Sequence, residues 1–217
     1  VDAPVQLLYT REDDIQHDAY RIAVSSTFKV GIDEAGQPIA WINRYTIKDE
    51  PNDAPHIPYA VADQSVRYTD SQSFVPRGPW RSVAHTQHTF FTESVMDELA
   101  HDAGKDPFEY RRALLKDQPR HLAVLEMAAA KGGWGTPLPD GRTRGIAIQK
   151  SFKTIVAEVA EVSVSAEGEV KVHKVTAVVD CGEVINSDTA RQQVESGIIF
   201  GLTAALYGEI TIANGAV

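Results

Sequence analysis

The chain has 217 residues, 43% of them hydrophobic, one cysteine, and a formal charge of −9 from 21 basic and 30 acidic side chains. That is enough apolar material for one substantial core, and an acidic balance without basic clusters argues against a nucleic-acid or anionic-membrane surface. Cys181 alone excludes an intramolecular disulfide and any metal site made from several of the chain's own thiolates.

No apolar run reaches bilayer-spanning length. The start lacks both Met and the basic opening of a signal peptide, and the end reads as a strand followed by Asn214-Gly215, so both ends are read as internal to a longer protein.

Residues 1–77 are predicted as a β-rich segment. Strands are expected over 5–9, 28–32 and 39–47, with Asp33-Glu34-Ala35-Gly36 as the hairpin loop between the last two. Residues 48–79, carrying Pro51, Pro55, Pro58, Pro76 and Pro79, read as an extended connection with short strands.

Residues 78–134 are predicted as a helical segment bearing the loop of greatest interest. Gly78-Pro79-Trp80-Arg81-Ser82-Val83 is a turn running into a helix on which Phe91, Val95, Leu99 and Ala103 recur at helical spacing, stopped by Gly104. A helix start presents unpaired N–H groups and a positive dipole end, so Arg81 beside it makes a seat for an oxyanion, although a plain surface role is the commoner reading. Asp106-Pro107-Phe108-Glu109 carries the N-cap, first-position proline and third-position glutamate of a second helix. A third follows Pro119 and ends at Gly132-Gly133, and 134–144 reads as a turn-rich linker.

Residues 135–217 are predicted as a β-hairpin plus a buried helix. Strands over 155–165 and 170–180 flank Ala166-Glu167-Gly168-Glu169. The helix over 188–208 is capped by the Asn186, Ser187 and Asp188 cluster and puts Val194, Ile198, Leu202 and Ala205 on one face. Gly197 and Gly201, four apart, allow close approach of a backbone or a bulky ligand. Strands segregate from helices, so the fold class is α+β, with mixed β-hairpins and sheets in one to two lobes.

No nucleophile elbow, phosphate-binding loop, dinucleotide fingerprint or zinc-protease motif occurs. His85 and His88 lie three apart but have no third ligand at convincing spacing, which favours solvent or capping roles, and no protein-ligated metal is assigned. Glu93 and Asp97 are read as first-turn carboxylates complementing a helix dipole rather than as an acid/base pair. Gln192-Gln193-Val194-Glu195 precedes an apolar, small-residue face, and a glutamine there offers donors and acceptors to a heteroatom-rich cofactor. Cys181 is read as a buried small hydrophobe.

Taken together, Thr10-Arg11-Glu12-Asp13-Asp14, Gly78-Pro79-Trp80-Arg81-Ser82-Val83, Glu93-Ser94-x-x-Asp97-Glu98-Leu99-Ala100, Arg144-Gly145-Ile146-Ala147, Ala157-Glu158-Val159-Ala160-Glu161-Val162 and Val179-Asp180-Cys181-Gly182 through Gln193-Val194-Glu195 carry a resemblance. In this order they resemble the large, molybdopterin-binding subunit of molybdenum hydroxylases, nearest the isoquinoline 1-oxidoreductase beta subunit and bacterial aldehyde dehydrogenase large subunits of the xanthine dehydrogenase and aldehyde oxidase superfamily.

The resemblance implies a molybdenum cofactor, held by its own pterin dithiolene, that inserts water-derived oxygen into an aldehyde or an electron-poor heteroaromatic, with electrons leaving through an iron–sulfur small subunit. It places Arg81, Ser82 and Val83 in the loop beside the cofactor, Gln193 on the pterin, and Ser151, in a strand-entry segment, as a further contact. The family's Gly-Gln-Gly and Gly-Gly-Gly-Phe-Gly loops and its Gly-x-Gly-Glu segment with the catalytic base fall outside these residues, and Glu209 lacks that motif's glycines. No catalytic residue is therefore assigned, and the chain alone is expected to be inactive and not to retain molybdopterin without the other large-subunit segments. Related subunits are often exported or membrane-associated. The alternatives are a non-catalytic binding or assembly module that keeps the fold, and complementary fragments that assemble a complete site.

Overall fold

The computed structural model describes residues 2–47, 53–72 and 74–217. Two three-stranded sheets flank a group of helices. The first holds β1 (Val24–Ile32), β2 (Pro38–Ile47) and β3 (Asp63–Asp70), and the second holds β4 (Arg142–Ser151), β5 (Thr154–Val164) and β6 (Val170–Asp180), each in chain order. A short α1 (Arg11–His17) precedes the first sheet. Between the sheets in sequence come α2 (His85–Asp102), α3 (Pro107–Leu114) and α4 (Pro119–Gly132), and α5 (Ser187–Tyr207) follows the second sheet. The class is α+β.

Local chemistry sets several element boundaries where the sequence places them. Asp106 caps α3 by accepting from the N–H groups of Phe108 and Glu109 at 2.9 and 3.0 Å, and both its oxygens also accept from Trp134 Nε1. Gly104 follows α2 and Gly133 closes α4, both with positive φ. The Asp33 turn joins β1 to β2, and its Gly36 backbone lies so near α2 that an added Cβ would stand 2.6 Å from the Ala103 Cβ.

The second sheet packs its inner face on the helices. Ile146 and Ile148 of β4 and Ile155, Ala157 and Val159 of β5 are all at most 3% exposed and meet Met96, Leu99, Val124, Leu125 and Ala128 in one cluster with Trp41 of β2. The helix α4 crosses β5 closely at Gly132, where a Cβ would stand 2.7 Å from the Val159 Cβ. A buried ion pair knits the same core: Glu93 of α2 accepts from Arg111 Nε of α3 at 2.8 Å, from Tyr59 Oη at 2.8 Å and from the Ile148 N–H of β4 at 3.0 Å.

Several expectations need correction. Residues 5–9 form no strand, because their apolar pattern finds no edge to pair with, and Val5, Leu7, Leu8 and Tyr9 are each at least 70% exposed. Instead Thr10 and Asp13 make a reciprocal capping box that starts α1. Inside the proline-rich stretch, β3 pairs parallel with β2, while residues 48–52, with Pro51, and residue 73 lie outside the described residues.

The linker expected over 134–144 already contains the start of β4, a strand whose Ile146 and Ile148 face the core while Arg142 and Arg144, on the same face nearer its start, meet Glu161 of β5. Ser151 therefore ends a strand rather than entering one, and Phe152 and Lys153, at φ 48° and 72°, make the two-residue turn into β5. At the chain end, Asn214 and Gly215 do form a positive-φ turn, but it closes one bridge between Ala213 and Ala216 and no strand precedes it.

The largest correction concerns α5, which has no buried residue. Val194, Ile198 and Leu202 are half-buried and face the sheet, as their spacing predicts, while Ala205 is exposed. A Cβ added at Gly197 or Gly201 would meet nothing within 4 Å. The helix stands off the outer face of the second sheet, so its small-residue stripe borders open space instead of another backbone.

Candidate functional site

The loop before α2 is held in a strained form. Ser82 and Val83 sit in the left-handed region at φ 60° and 50°. Thr86 Oγ1 donates to the Arg81 carbonyl at 2.9 Å and lies 2.6 Å from Ser82 Oγ, which fastens the loop to the first turn of the helix. The N–H groups of His85, Thr86 and His88 are bonded to the carbonyls of Ser82, Val83 and Ala84. The oxyanion seat expected at this helix start is thus occupied by the loop's own backbone, and Arg81 faces elsewhere.

Arg81 reaches α5. One of its terminal nitrogens lies 3.5 Å from Ser196 Oγ, and its guanidinium sits 4.9 Å from the Phe200 ring centroid. Trp80 stacks on Phe200 at 4.8 Å, and Arg21 covers the Trp80 ring at 4.6 Å. Sequence reading did not nominate Arg21 or Phe200, since nothing local links either residue to the Arg81 loop.

Three cavities adjoin one another along α5. One of about 460 Å³ lies between α5, the start of α2 and the outer sheet face, with Ser82, Ser151, Glu158 and Gly201 in its walls. A second, of about 630 Å³, is walled by Arg21, Trp80, Arg81, Ser82 and Phe200. The third, of about 680 Å³, is walled by Val156, Glu158, Cys181 and Gln193. All three touch Gly197. The cavities gather Arg81, Ser82, Ser151 and Gln193 around one helix, while Val83, half-exposed, is in none of their walls. Among the described residues, Ser151 Oγ is buried without a hydrogen-bond partner.

Other nominated side chains fall out differently. His85 and His88 are 8% and 0% exposed rather than in solvent or capping roles. Gln149 donates to His85 Nδ1 at 3.0 Å, and His85 Nε2 lies 3.5 Å from Asp53; burial lowers its pKa although Asp53 opposes this. His88 lies edge-on to Tyr45, and burial, with His85 nearby, lowers its pKa to about 4. Because α2 begins at His85, Glu93 is not in a first turn, and its carboxyl serves the ion pair with Arg111. Cys181 is exposed, since β6 ends at Asp180 and the chain bends away beside the third cavity.

Comparison with known proteins supplies the frame for this geometry. A family model described as molybdopterin cofactor-binding domain matches residues 63–217. The chain belongs to this family. The isoquinoline 1-oxidoreductase subunit beta of Brevundimonas diminuta is 28% identical over 97% of this chain and 30% of its own length. The membrane-bound aldehyde dehydrogenase [pyrroloquinoline-quinone] of Gluconacetobacter polyoxogenes is 27% identical over 98% of this chain and 33% of its own length. The chain thus spans about a third of these relatives.

The aldehyde oxidoreductase of Desulfovibrio desulfuricans shares the fold, with a TM-score of 0.51 and 17% identity over 76% of this chain and 22% of that one. The family read from the motifs and the family found by comparison are the same. In this molybdopterin cofactor-binding domain, all three cavities fall within the matched residues except for Arg21.

Proposed function

We propose that this chain supplies part of the molybdopterin pocket of a molybdenum hydroxylase that oxidises an aldehyde or an N-heteroaromatic compound. The observation that supports the reading is the gathering of Arg81, Ser82, Ser151 and Gln193 in adjoining cavities around α5. The walls fit the group: they are largely apolar, and they offer an unpartnered Ser151 hydroxyl, the Gln193 amide and the Arg81 guanidinium to its heteroatoms.

When bound, molybdopterin supplies the redox centre at which water-derived oxygen is passed to the substrate. Arg81 anchors the strained loop to α5 and keeps one cationic group at the cavity edge. Ser151 and Gln193 orient the heterocycle by hydrogen bonds, and the apolar walls of β5 and α5 exclude water from it. The motif with the proton-abstracting glutamate is not in these residues, so the 217-residue chain by itself turns over no substrate. Other large-subunit segments and an iron–sulfur subunit complete the enzyme.

The test is to co-express this chain with the segments that accompany it and measure molybdenum and released pterin. Arg81→Met and Gln193→Ala lower both several-fold, with circular dichroism and melting unchanged. A wild-type assembly free of pterin and molybdenum overturns the reading.

A further inference from the structure

On the outer face of the second sheet, one carboxyl stands in apolar surroundings. The register sets Glu158 of β5 between Ala147 of β4 and Ala177 of β6, so small side chains flank it across both strands. Val156 and Ala160 sit on the same face to either side along β5, because strand residues two apart share a face. Above it runs α5, whose Gly197 and Ile198 line both cavities that Glu158 lines. Since side chains at Gly197 and Gly201 are missing and a Cβ there would touch nothing within 4 Å, the space between sheet and helix is a flat slot.

Among the described residues, no hydrogen bond or ion pair engages the Glu158 carboxyl. Arg191 of α5 lines the larger cavity and His85 the smaller, and neither pairs with it. Burial alone moves Glu158 above the ordinary carboxylate range. A half-buried carboxyl without a partner destabilises a fold, so its place in the floor of a cavity points to a ligand that completes it.

We propose that Glu158 is a ligand-reading residue of this slot, its carboxyl pairing with the aminopyrimidine edge of a planar heterocycle, the pterin, that lies between the outer sheet face and α5. This rests on the cofactor reading above, in which Glu158 has no role. Alanine, valine and glycine surfaces on the two sides accept a flat ring, and a carboxyl matches the adjacent ring nitrogen and amino group of an aminopyrimidine with two hydrogen bonds. The two cavities, about 460 and 680 Å³, are of the size in which small ligands are held.

The test compares pterin with lumazine, which carries a carbonyl in place of the 2-amino group, by fluorescence titration of the chain co-expressed with its accompanying segments and freed of cofactor. Wild type prefers pterin by about tenfold, since a site built to pair with an amino group rejects the analogue lacking it. Glu158→Ala brings the ratio to about one, and its melting temperature equals or exceeds that of wild type because the unpartnered carboxyl is gone. A Glu158→Ala chain that keeps the preference overturns the assignment, as does one that melts lower with the preference unchanged. A Gln193→Ala chain separates the two proposals: if it loses pterin while Glu158→Ala does not, the cofactor reading stands and the Glu158 assignment falls. A wild-type assembly that takes up neither heterocycle overturns the Glu158 assignment, and the cofactor reading is then judged by the molybdenum and pterin content of the assembly as isolated.

Discussion

Arg111 of α3 donates through Nε to Glu93 of α2 at 2.8 Å, with the guanidinium wholly buried and the carboxylate nearly so. Its other nitrogens reach Asp97 Oδ1 at 2.7 Å and the Glu93 carbonyl at 2.9 Å. Burial opposes the arginine's charge, but Glu93, Tyr59 and Asp97 hold it more firmly protonated than usual. Since Glu93 also accepts from the Ile148 N–H, this pair joins both helices to β4, the strand that ends at Ser151.

Removing one partner leaves the other buried and unpaired. Arg111→Met is expected to cost about 3–5 kcal/mol in urea unfolding, and the double variant with Glu93→Gln to recover a large part of that loss. Equal losses in the single and double variants would contradict the coupling.

Acid sensitivity follows from His88. Its folded pKa is about 4 against an ordinary value of 6.5, so the unfolded chain takes up the proton first. The contribution is complete above pH 6.5 and is lost as pH falls toward 4, on the order of 2 kcal/mol. Chemical denaturation across this range should show His88→Leu with a flatter profile than wild type. Parallel profiles would remove His88 as the cause.

Asp106 has two duties, capping α3 and accepting from Trp134 Nε1. Asp106→Ala is expected to lower stability by about 1–2 kcal/mol, the typical loss for an N-cap, and to change Trp134 fluorescence. A stability change without a fluorescence change would argue against the shared contact.

At Gly132 a methyl group has no room against Val159. Gly132→Ala is expected to cost about 1–3 kcal/mol by thermal melting, despite alanine's better helix propensity. A stabilised variant would show that α4 and β5 separate easily.

What the sequence made legible is governed by range. The starts of α3 and α4, the Asp33 and Gly168 turns and the Asn186 cap were readable because each depends on groups within four residues. The parallel pairing of β2 with β3 and the strand β4 were not, because each is stabilised by partners far along the chain. Ile146 and Ile148 carried a usable alternation signal, but their neighbours Arg142 and Arg144 read as linker until Glu161 supplied a counter-charge.

The site follows the same rule. Arg81, Ser82, Val83, Ser151 and Gln193 were nominated through a family likeness, and all but Val83 line the cavities around α5. Arg21 and Glu158 were not nominated, because the first reaches the cavities through Trp80 and the second stands out only by the small residues that flank it across the sheet.

A helix with no buried side chain adds little to the cooperative unit that the sheets and α2–α4 form. Its amides are therefore expected to exchange with solvent before those of α2–α4, and the exposed connection at 181–186 is an expected point of proteolysis. Whatever settles in the slot changes that local opening free energy before it changes the melting of the whole, so protection of α5 against exchange reports occupancy more directly than global stability does.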